Sequence, residues 1–183
     1  MSTGGGGKDG NIFVVNRDDM GSFSPNENNV IQVVHTGTQQ FNYNFSTPVY
    51  WNGSLYYHSN KDVLRAFSWS TSTGLLSGPT SSATPVYSMH GATPSLSANG
   101  ATNGIVWDID NTAYNATNPS QSGPLVLHAY DASNVATEMY NSSQAGSRDT
   151  AGIALKFTVP TIAGGRVFVP TANELDIYGL LAP

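Results

Sequence analysis

Three side chains that can hold a metal or move a proton stand next to predicted β-strands of this chain. His90 lies in a loop just before a strand, His58 ends a strand, and Asp108 occupies the corresponding region of the next repeat. We expect these groups to converge on a common polar axis, where imidazole and carboxylate groups can hold Zn²⁺ and activate a water. His58, His90 and Asp108 are therefore the candidate catalytic residues, and the chemistry that they predict is metal-assisted hydrolysis.

Two further residues of the same region, His35 and Asp110, complete the predicted set of metal ligands with His58, His90 and Asp108. Zn²⁺ is one candidate ion, and Ca²⁺ held by carboxylate and amide oxygens is the other. The chain has no fixed ligand spacing such as His-Glu-x-x-His. The structural alternative is that each side chain satisfies hydrogen bonds at a strand end, as Asp and Asn commonly do.

For several other polar and aromatic residues, the structural interpretation is the favoured one. We expect Asp18, Asp19 and Asp62 to stabilise turns. His128 occupies a repeat position that Arg or Asp fills elsewhere, which predicts a solvated strand face. Three tryptophans are expected to pack between repeats rather than to stack on a carbohydrate: Trp51, Trp69 and Trp107.

Missing motifs and composition exclude several classes of function. The 183 residues contain no Gly-x-Ser-x-Gly elbow, no phosphate-binding glycine loop and no cysteine. The net charge of −5 argues against a nucleic-acid partner, and the chain has no apolar run of the length that spans a membrane, about 20 residues. A cysteine-free chain rich in Asn, Ser and Thr favours a secreted or periplasmic bacterial protein, with the cytoplasm as the alternative. Residues 1–9 have no signal-peptide core and predict a flexible leader.

The elements that must position these residues are repeated along the chain. A Pro-led strand recurs at Pro48, Pro94 and Pro160, and a glycine turn and a second apolar strand follow each. The second strands follow four glycines: Gly10, Gly53, Gly104 and Gly165. A third strand, with a large apolar residue three positions before an aromatic one, is predicted at 20–23, 64–67, 127–130 and 175–178. Outer strands are predicted at 30–34, 80–83 and 137–140.

Four-stranded units that repeat along a chain predict the blades of a β-propeller. The 19 glycines and 10 prolines agree with many short strands joined by turns. We predict an all-β propeller arc of four blades over residues 10–183, in which the first blade lacks its inner strand and the last its outer strand. Because an open arc leaves two apolar faces, we expect two chains to close into an eight-bladed ring as a homodimer.

Several segments resemble the quinoprotein-like (PQQ-repeat-like) β-propellers of bacteria, namely residues 91–107, 126–132 and 174–180. The resemblance runs from about Asn11 to Leu181 and is to the C-terminal half of a longer propeller. It implies a propeller fold more strongly than an activity. The family repeat Ala-x-Asp-x-x-Thr-Gly survives only in part, at residues 129–134, and the family's vicinal cysteine pair is absent. Bound PQQ is therefore not expected.

Two classes of function remain open at this stage. The first is a binding or scaffold module that self-associates and presents a pocket on the propeller axis to a small molecule. The alternative is a metal-dependent hydrolase of an ester, lactone or phosphoester, with its His and Asp site on that axis. A quinone-dependent dehydrogenase is the third and least favoured interpretation.

Overall fold

The computed structural model describes residues 11–22, 29–36, 44–88 and 90–180, which form β-strands and turns. Thirteen strands in these residues make four antiparallel sheets. The described part of the chain contains only two helices, the single-turn 3₁₀-helices Pro119–Gln121 and Gly146–Arg148. The all-β prediction is confirmed. The predicted leader, Gly10 and Phe23 lie outside the described residues.

The first sheet has two strands, β1 (Asn11–Val15) and β2 (Val30–His35), which pair antiparallel. The strand predicted at 30–34 is present as β2, but its predicted place as an outer strand, separated from β1 by a third strand at 20–23, is wrong. β2 bonds directly to β1, and residues 20–22 form no strand.

Polar turn chemistry explains why residues 16–22, directly after β1, form no strand. The backbone N–H of Asp18 donates to Asn16 Oδ1 at 3.1 Å, which is the hydrogen bond of an Asx turn. Gly21 has φ of 67°, a value that extended strands do not adopt. Met20 is the apolar residue at which the strand was predicted to begin, and it is 49% exposed. The apolar spacing at 20–23 therefore does not mark a strand in this unit.

The next three sheets follow the predicted repeat. The second sheet has the order β3–β4–β5–β6, with strands Val49–Trp51, Ser54–His58, Leu64–Ser70 and Leu75–Ser82. The third has the order β7–β8–β9–β10, with strands Ser95–Asn99, Thr102–Asp110, Val126–Asp131 and Glu138–Asn141. The fourth has three strands in the order β11–β12–β13: Thr161–Ala163, Arg166–Pro170 and Leu175–Gly179. Strand order follows chain order in each sheet, so each is a meander.

Glycine turns join the inner strand of a sheet to the second strand. Asn52 and Gly53 have φ of 45° and 80°, and they connect β3 to β4. Gly164 and Gly165, with φ of 57° and 73°, connect β11 to β12 in the same way. Two central residues with positive φ match the right-handed twist of the flanking strands. Gly53 and Gly165 of the repeated set therefore serve this turn, whereas Gly104 lies within β8.

Three apolar clusters hold the four sheets together, and each lies between two consecutive sheets. Ile12 on β1 packs with Phe67 on β5. Tyr56 on β4 packs with Val106 on β8, and its hydroxyl donates to the carbonyl of Ala132 at 2.6 Å. The third cluster joins the third and fourth sheets, and its members include Ile109, Leu127, Val167 and Val169.

The tryptophans occupy these interfaces, as predicted. Trp69 packs against the first cluster and Trp107 against the third. Trp51 packs against the second cluster, and its indole N–H donates to the carbonyl of Gly100 on the next sheet at 2.8 Å. Packing between sheets therefore accounts for all three indoles.

The outward faces of the terminal sheets carry exposed apolar side chains. On β13, Leu175 and Ile177 are 55% and 53% exposed. On β2, Ile31 is 51% exposed, and Val33 beside it is half-buried. Each of these two sheets has one face against a neighbouring sheet and one face that no described sheet covers.

A matched pair of valines tests the interface between the second and third sheets. Val106 is fully buried there, whereas Val86 is 63% exposed. We expect Val106→Ala to lower the free energy of unfolding by about 2 kcal/mol, because it removes buried methyl groups and leaves a cavity. Val86→Ala should change it by less than about 0.5 kcal/mol. Urea denaturation measures both values, and equal losses would contradict the interface.

Candidate functional site

Two of the predicted catalytic residues form a buried pair between the second and third sheets. His58 is the last residue of β4, and Asp108 lies near the end of β8. His58 Nδ1 is 2.6 Å from Asp108 Oδ2, and their side chains are 1% and 0% exposed. They meet because the C-terminal ends of β4 and β8 lie side by side in adjacent sheets. The structure therefore brings these two groups together inside an interface between sheets.

The second ring nitrogen of His58 determines how many protons the pair holds. Nε2 lies 2.9 Å from the backbone carbonyl oxygen of Asp62. A carbonyl oxygen can only accept, so Nε2 carries a hydrogen and donates it. One proton then remains between Nδ1 and the Asp108 carboxyl, as an imidazolium with a carboxylate or an imidazole with a carboxylic acid. In either form, His58 has no lone pair to offer a metal or a substrate.

Asp62 anchors this arrangement from the turn between β4 and β5. Its carboxylate accepts two hydrogen bonds from Arg65, at 2.6 and 3.1 Å. Its carbonyl accepts the N–H of Tyr87 at 3.1 Å in addition to the His58 bond. The favoured prediction of a structural role for Asp62 agrees with these contacts.

Tyr87 extends the polar pair toward the third sheet. Its ring centroid lies 4.1 Å from that of His58 and 5.5 Å from that of His128. Its hydroxyl is 3.5 Å from that of Tyr130, at the long limit of a hydrogen bond. Burial raises the pKa of Tyr87 well above its ordinary value, and the nearby Asp108 raises it further. The phenol is therefore protonated at neutral pH.

His128 is buried, so the prediction of a solvated strand face for it is wrong. It stands directly opposite Asp108 in the register of β8 and β9, on the face that Tyr87 covers. Its Nδ1 lies 2.5 Å from Glu138 Oε1. The position that holds Arg or Asp in other repeats holds a buried imidazole here because β10 supplies a carboxylate for it.

Two atoms of this cluster have no hydrogen-bond partner among the described residues, Asp108 Oδ1 and His128 Nε2. Both belong to side chains that are more than nine-tenths buried, and their residues face each other across β8 and β9. Buried polar atoms in proteins are rarely unsatisfied. The cluster thus retains one acceptor on Asp108 for a small polar group.

The other predicted site residues lie elsewhere. His35 is exposed on β2, with Nδ1 2.9 Å from Asn11 Oδ1. Asp110 Oδ1 accepts the N–H of Thr112 at 2.7 Å and so stabilises the turn after β8. His90 lies between two phenylalanines, its ring centroid 5.1 Å from that of Phe45 and 4.6 Å from that of Phe157.

The structure therefore does not form the predicted metal site. Within the described residues, no group of three or more His, Asp or Glu side chains is placed to hold a metal ion. The physical reason is that β2, the end of β8 and the loop before β7 keep His35, Asp110 and His90 apart. His58 and Asp108 meet, but both ring nitrogens of His58 are already hydrogen-bonded, one to Asp108 and the other to the Asp62 carbonyl.

The Pro-led strands line a groove of their own, with a volume of about 400 Å³. Each repeat contributes the residues at the start of its inner strand, among them Pro48, Pro94 and Pro160. Ser95 Oγ donates to the carbonyl of Pro160 at 2.5 Å, which joins the third and fourth sheets at this groove. No ionisable side chain is among its lining residues.

The sequence pointed to part of this site and missed the rest. Tyr87 and His128 complete the buried cluster, and the partly exposed Glu138 lies at its edge, but none of them has a motif. The one available signal was the imidazole of His128, which stands between the apolar residues Leu127 and Ala129.

Comparison of the chain with known family models, curated protein sequences and solved structures finds no match. Within the described residues, no helix has the length and apolar character needed to cross a bilayer.

Removing one member of the buried pair should be costly. Asp108→Ala leaves His58 buried without its partner, and we expect a loss of about 3–5 kcal/mol in the free energy of unfolding. The control is Asp110→Ala, two residues along β8, which removes one turn hydrogen bond and should cost about 1 kcal/mol. Urea denaturation compares the two variants. A loss from Asp108→Ala no larger than that from Asp110→Ala would contradict the structural role of the pair.

Proposed function

We propose that this chain is a non-catalytic binding and assembly module built from propeller blades. Four observations support the blade arrangement. Each full sheet is a four-stranded meander, and consecutive sheets pack face to face. The strands β3, β7 and β11 line one groove, and β7 contacts both β3 and β11. This is the arrangement expected if the inner strands surround an axis. The resemblance to quinoprotein-like propellers is part of the same proposal.

The hydrogen bonding of His58 is the observation that favours a binding module over an enzyme. Both ring nitrogens have protein partners, at 2.6 and 2.9 Å, inside an interface between sheets. A general base or a metal ligand needs a lone pair directed at the reacting group. The described residues offer no observation that favours a metal-dependent hydrolase or a quinone-dependent dehydrogenase over this module.

The groove along the Pro-led strands is the proposed binding surface on the axis. Its lining combines Thr, Ser, Pro, Val, Leu and Ile side chains with the backbone of three inner strands. Its volume of about 400 Å³ falls within the range of small-molecule sites. Without charged groups, it would take a neutral ligand or a neutral part of a partner.

The proposed assembly is a homodimer in which the terminal sheets of two chains cover each other. The first sheet of one chain, with Ile31, would pack on the fourth sheet of the other, with Leu175 and Ile177. Two-fold symmetry then makes this contact twice and leaves no open face. Closure by two copies would give the eight-bladed ring.

The mass in solution tests the dimer. At micromolar concentration, we expect light scattering to give about twice the chain mass of 19.3 kDa. Ile177→Asp places a charge in the proposed contact and should shift the protein to the monomer. Val86→Asp, at an exposed position outside the terminal sheets, should leave the dimer intact. A wild-type monomer would overturn the assembly, and so would equal effects of the two variants.

Metal analysis tests the non-catalytic part of the proposal. We expect the purified protein to hold well below one equivalent of Zn²⁺ or Ca²⁺, because both ring nitrogens of His58 have protein partners and Asp108 keeps a single oxygen, Oδ1, without one. Added Zn²⁺ should not raise the melting temperature, since a ligand stabilises only a protein that binds it. One equivalent of metal, lost together with a hydrolase activity in His90→Ala, would instead establish the enzyme.

A further inference from the structure

A second concave site opens between the third and fourth sheets, beside the axial groove. Its volume of about 620 Å³ is within the range of small-molecule pockets, roughly 300–1,000 Å³. Trp107 on β8 and Val167 on β12 line it, and both belong to the apolar packing between these two sheets. Tyr178 stands opposite Val167 in the register of β12 and β13, so its ring lies on the same face of the fourth sheet. We call this site the lateral cleft.

The repeat explains why this interface is open. Trp51 and Ser97 each stand three residues after the proline of their inner strand, Pro48 and Pro94. Trp51 packs its indole into the interface between the second and third sheets. Ser97 is directed at the next interface, where its Oγ accepts the N–H of Trp107 at 2.8 Å. The interface between the third and fourth sheets therefore lacks the ring that Trp51 supplies one interface earlier.

Two glycines show the size of the difference. Gly104 and Gly165 precede the buried valines Val106 and Val167 by two residues, so they occupy the same place in their repeats. A Cβ added at Gly104 would lie 2.8 Å from the Trp51 ring. A Cβ added at Gly165, which lines the lateral cleft, would have no neighbour within 4 Å. The space that an indole occupies beside the first glycine is thus open beside the second.

The outer wall of the lateral cleft is aromatic and uncharged. The Tyr140 hydroxyl donates to Asp149 Oδ2 at 2.7 Å, and the Tyr178 hydroxyl donates to the Asp149 carbonyl at 3.0 Å. Burial raises the pKa of Tyr178 to about 12, so its phenol is neutral at physiological pH. Both hydroxyls are directed at Asp149, and the two rings present apolar surface to the cleft.

The charged groups at the rim are either paired or directed away. Arg148 donates two hydrogen bonds to Asp149, at 2.6 and 2.8 Å, and these bonds hold the pKa of Asp149 down at about 2. The two groups therefore form an ion pair without net charge. Arg166 stands opposite Gly179 in the register of β12 and β13, which places its side chain on the outward face of the fourth sheet, with that of Ile177. No unpaired charge of these residues faces the cleft.

We propose that the lateral cleft binds a neutral aromatic small molecule of about the size of an indole. Its ring would take the place beside Gly165 that Trp51 takes beside Gly104, in contact with Trp107 and Tyr178. Aromatic rings gain from such contacts beyond the area that they bury. A charged group would lose its hydration there without gaining a partner. This inference rests on the third and fourth sheets alone and stands apart from the proposed assembly and the axial groove.

Indole itself is the probe that tests the proposal on the full chain. In an NMR titration of the ¹⁵N-labelled protein, we expect one site per chain with a dissociation constant below about 1 mM, as befits so small a ligand. The side-chain N–H resonance of Trp107 should shift on binding. Indole-5-carboxylate has the same rings and one charge, and it should bind at least about tenfold more weakly.

A serine-to-tryptophan change tests the position of the site. Ser97→Trp supplies the missing ring from the chain itself, so it should fill the lateral cleft and weaken indole binding by more than about tenfold. The matched control is Ser72→Trp, at an exposed serine in the turn between β5 and β6, and it should leave binding unchanged. Circular dichroism confirms that each variant keeps the wild-type fold.

A measurement on the wild type keeps the proposal testable if Ser97→Trp does not fold. Intermolecular NOEs should join the indole protons to the methyl groups of Val167, inside the cleft, and not to those of Ile177, on the outward face. The proposal is overturned if indole does not bind, if the carboxylate binds as tightly as indole, if a folded Ser97→Trp variant binds as Ser72→Trp does, or if the NOEs to Val167 are absent.

Discussion

Face-to-face burial of small sheets is the constraint on which the rest of this structure depends. A two-stranded sheet is at best marginally stable alone, and the apolar face of a larger sheet still has to be buried. All three apolar clusters lie between consecutive sheets, so each sheet is stabilised by its neighbours. Stability in such a chain is close to a sum of repeat terms and interface terms. The same constraint explains why the outward faces of the terminal sheets, with Ile31 and Ile177, are the exposed apolar surfaces.

The polar pair inside one of these interfaces contributes alignment more than stability. Desolvating His58 and Asp108 costs much of what their attraction returns, so a buried pair is a weak source of net stability. Apolar faces, however, can slide past each other at small cost. The 2.6 Å contact between β4 and β8 forms at one offset of the sheets only, and the bond from Nε2 to Asp62 fixes the adjoining turn. We infer that the pair selects this offset.

How much the sequence predicts depends on whether the signal is local. The Asn52–Gly53 turn and the strands beside it follow from backbone preferences, and most of the strands were predicted from them. Both strands of the first sheet were predicted too, but their direct pairing was not, because the spacing at 20–23 resembled a strand between them while Asn16 and Gly21 favoured a turn. In the site, His58 and Asp108 were predicted to lie close together because they occupy corresponding positions of two consecutive repeats. The direction of His58 Nε2 and the burial of His128 depend on Asp62, Tyr87 and Glu138, which are distant or unmarked in sequence.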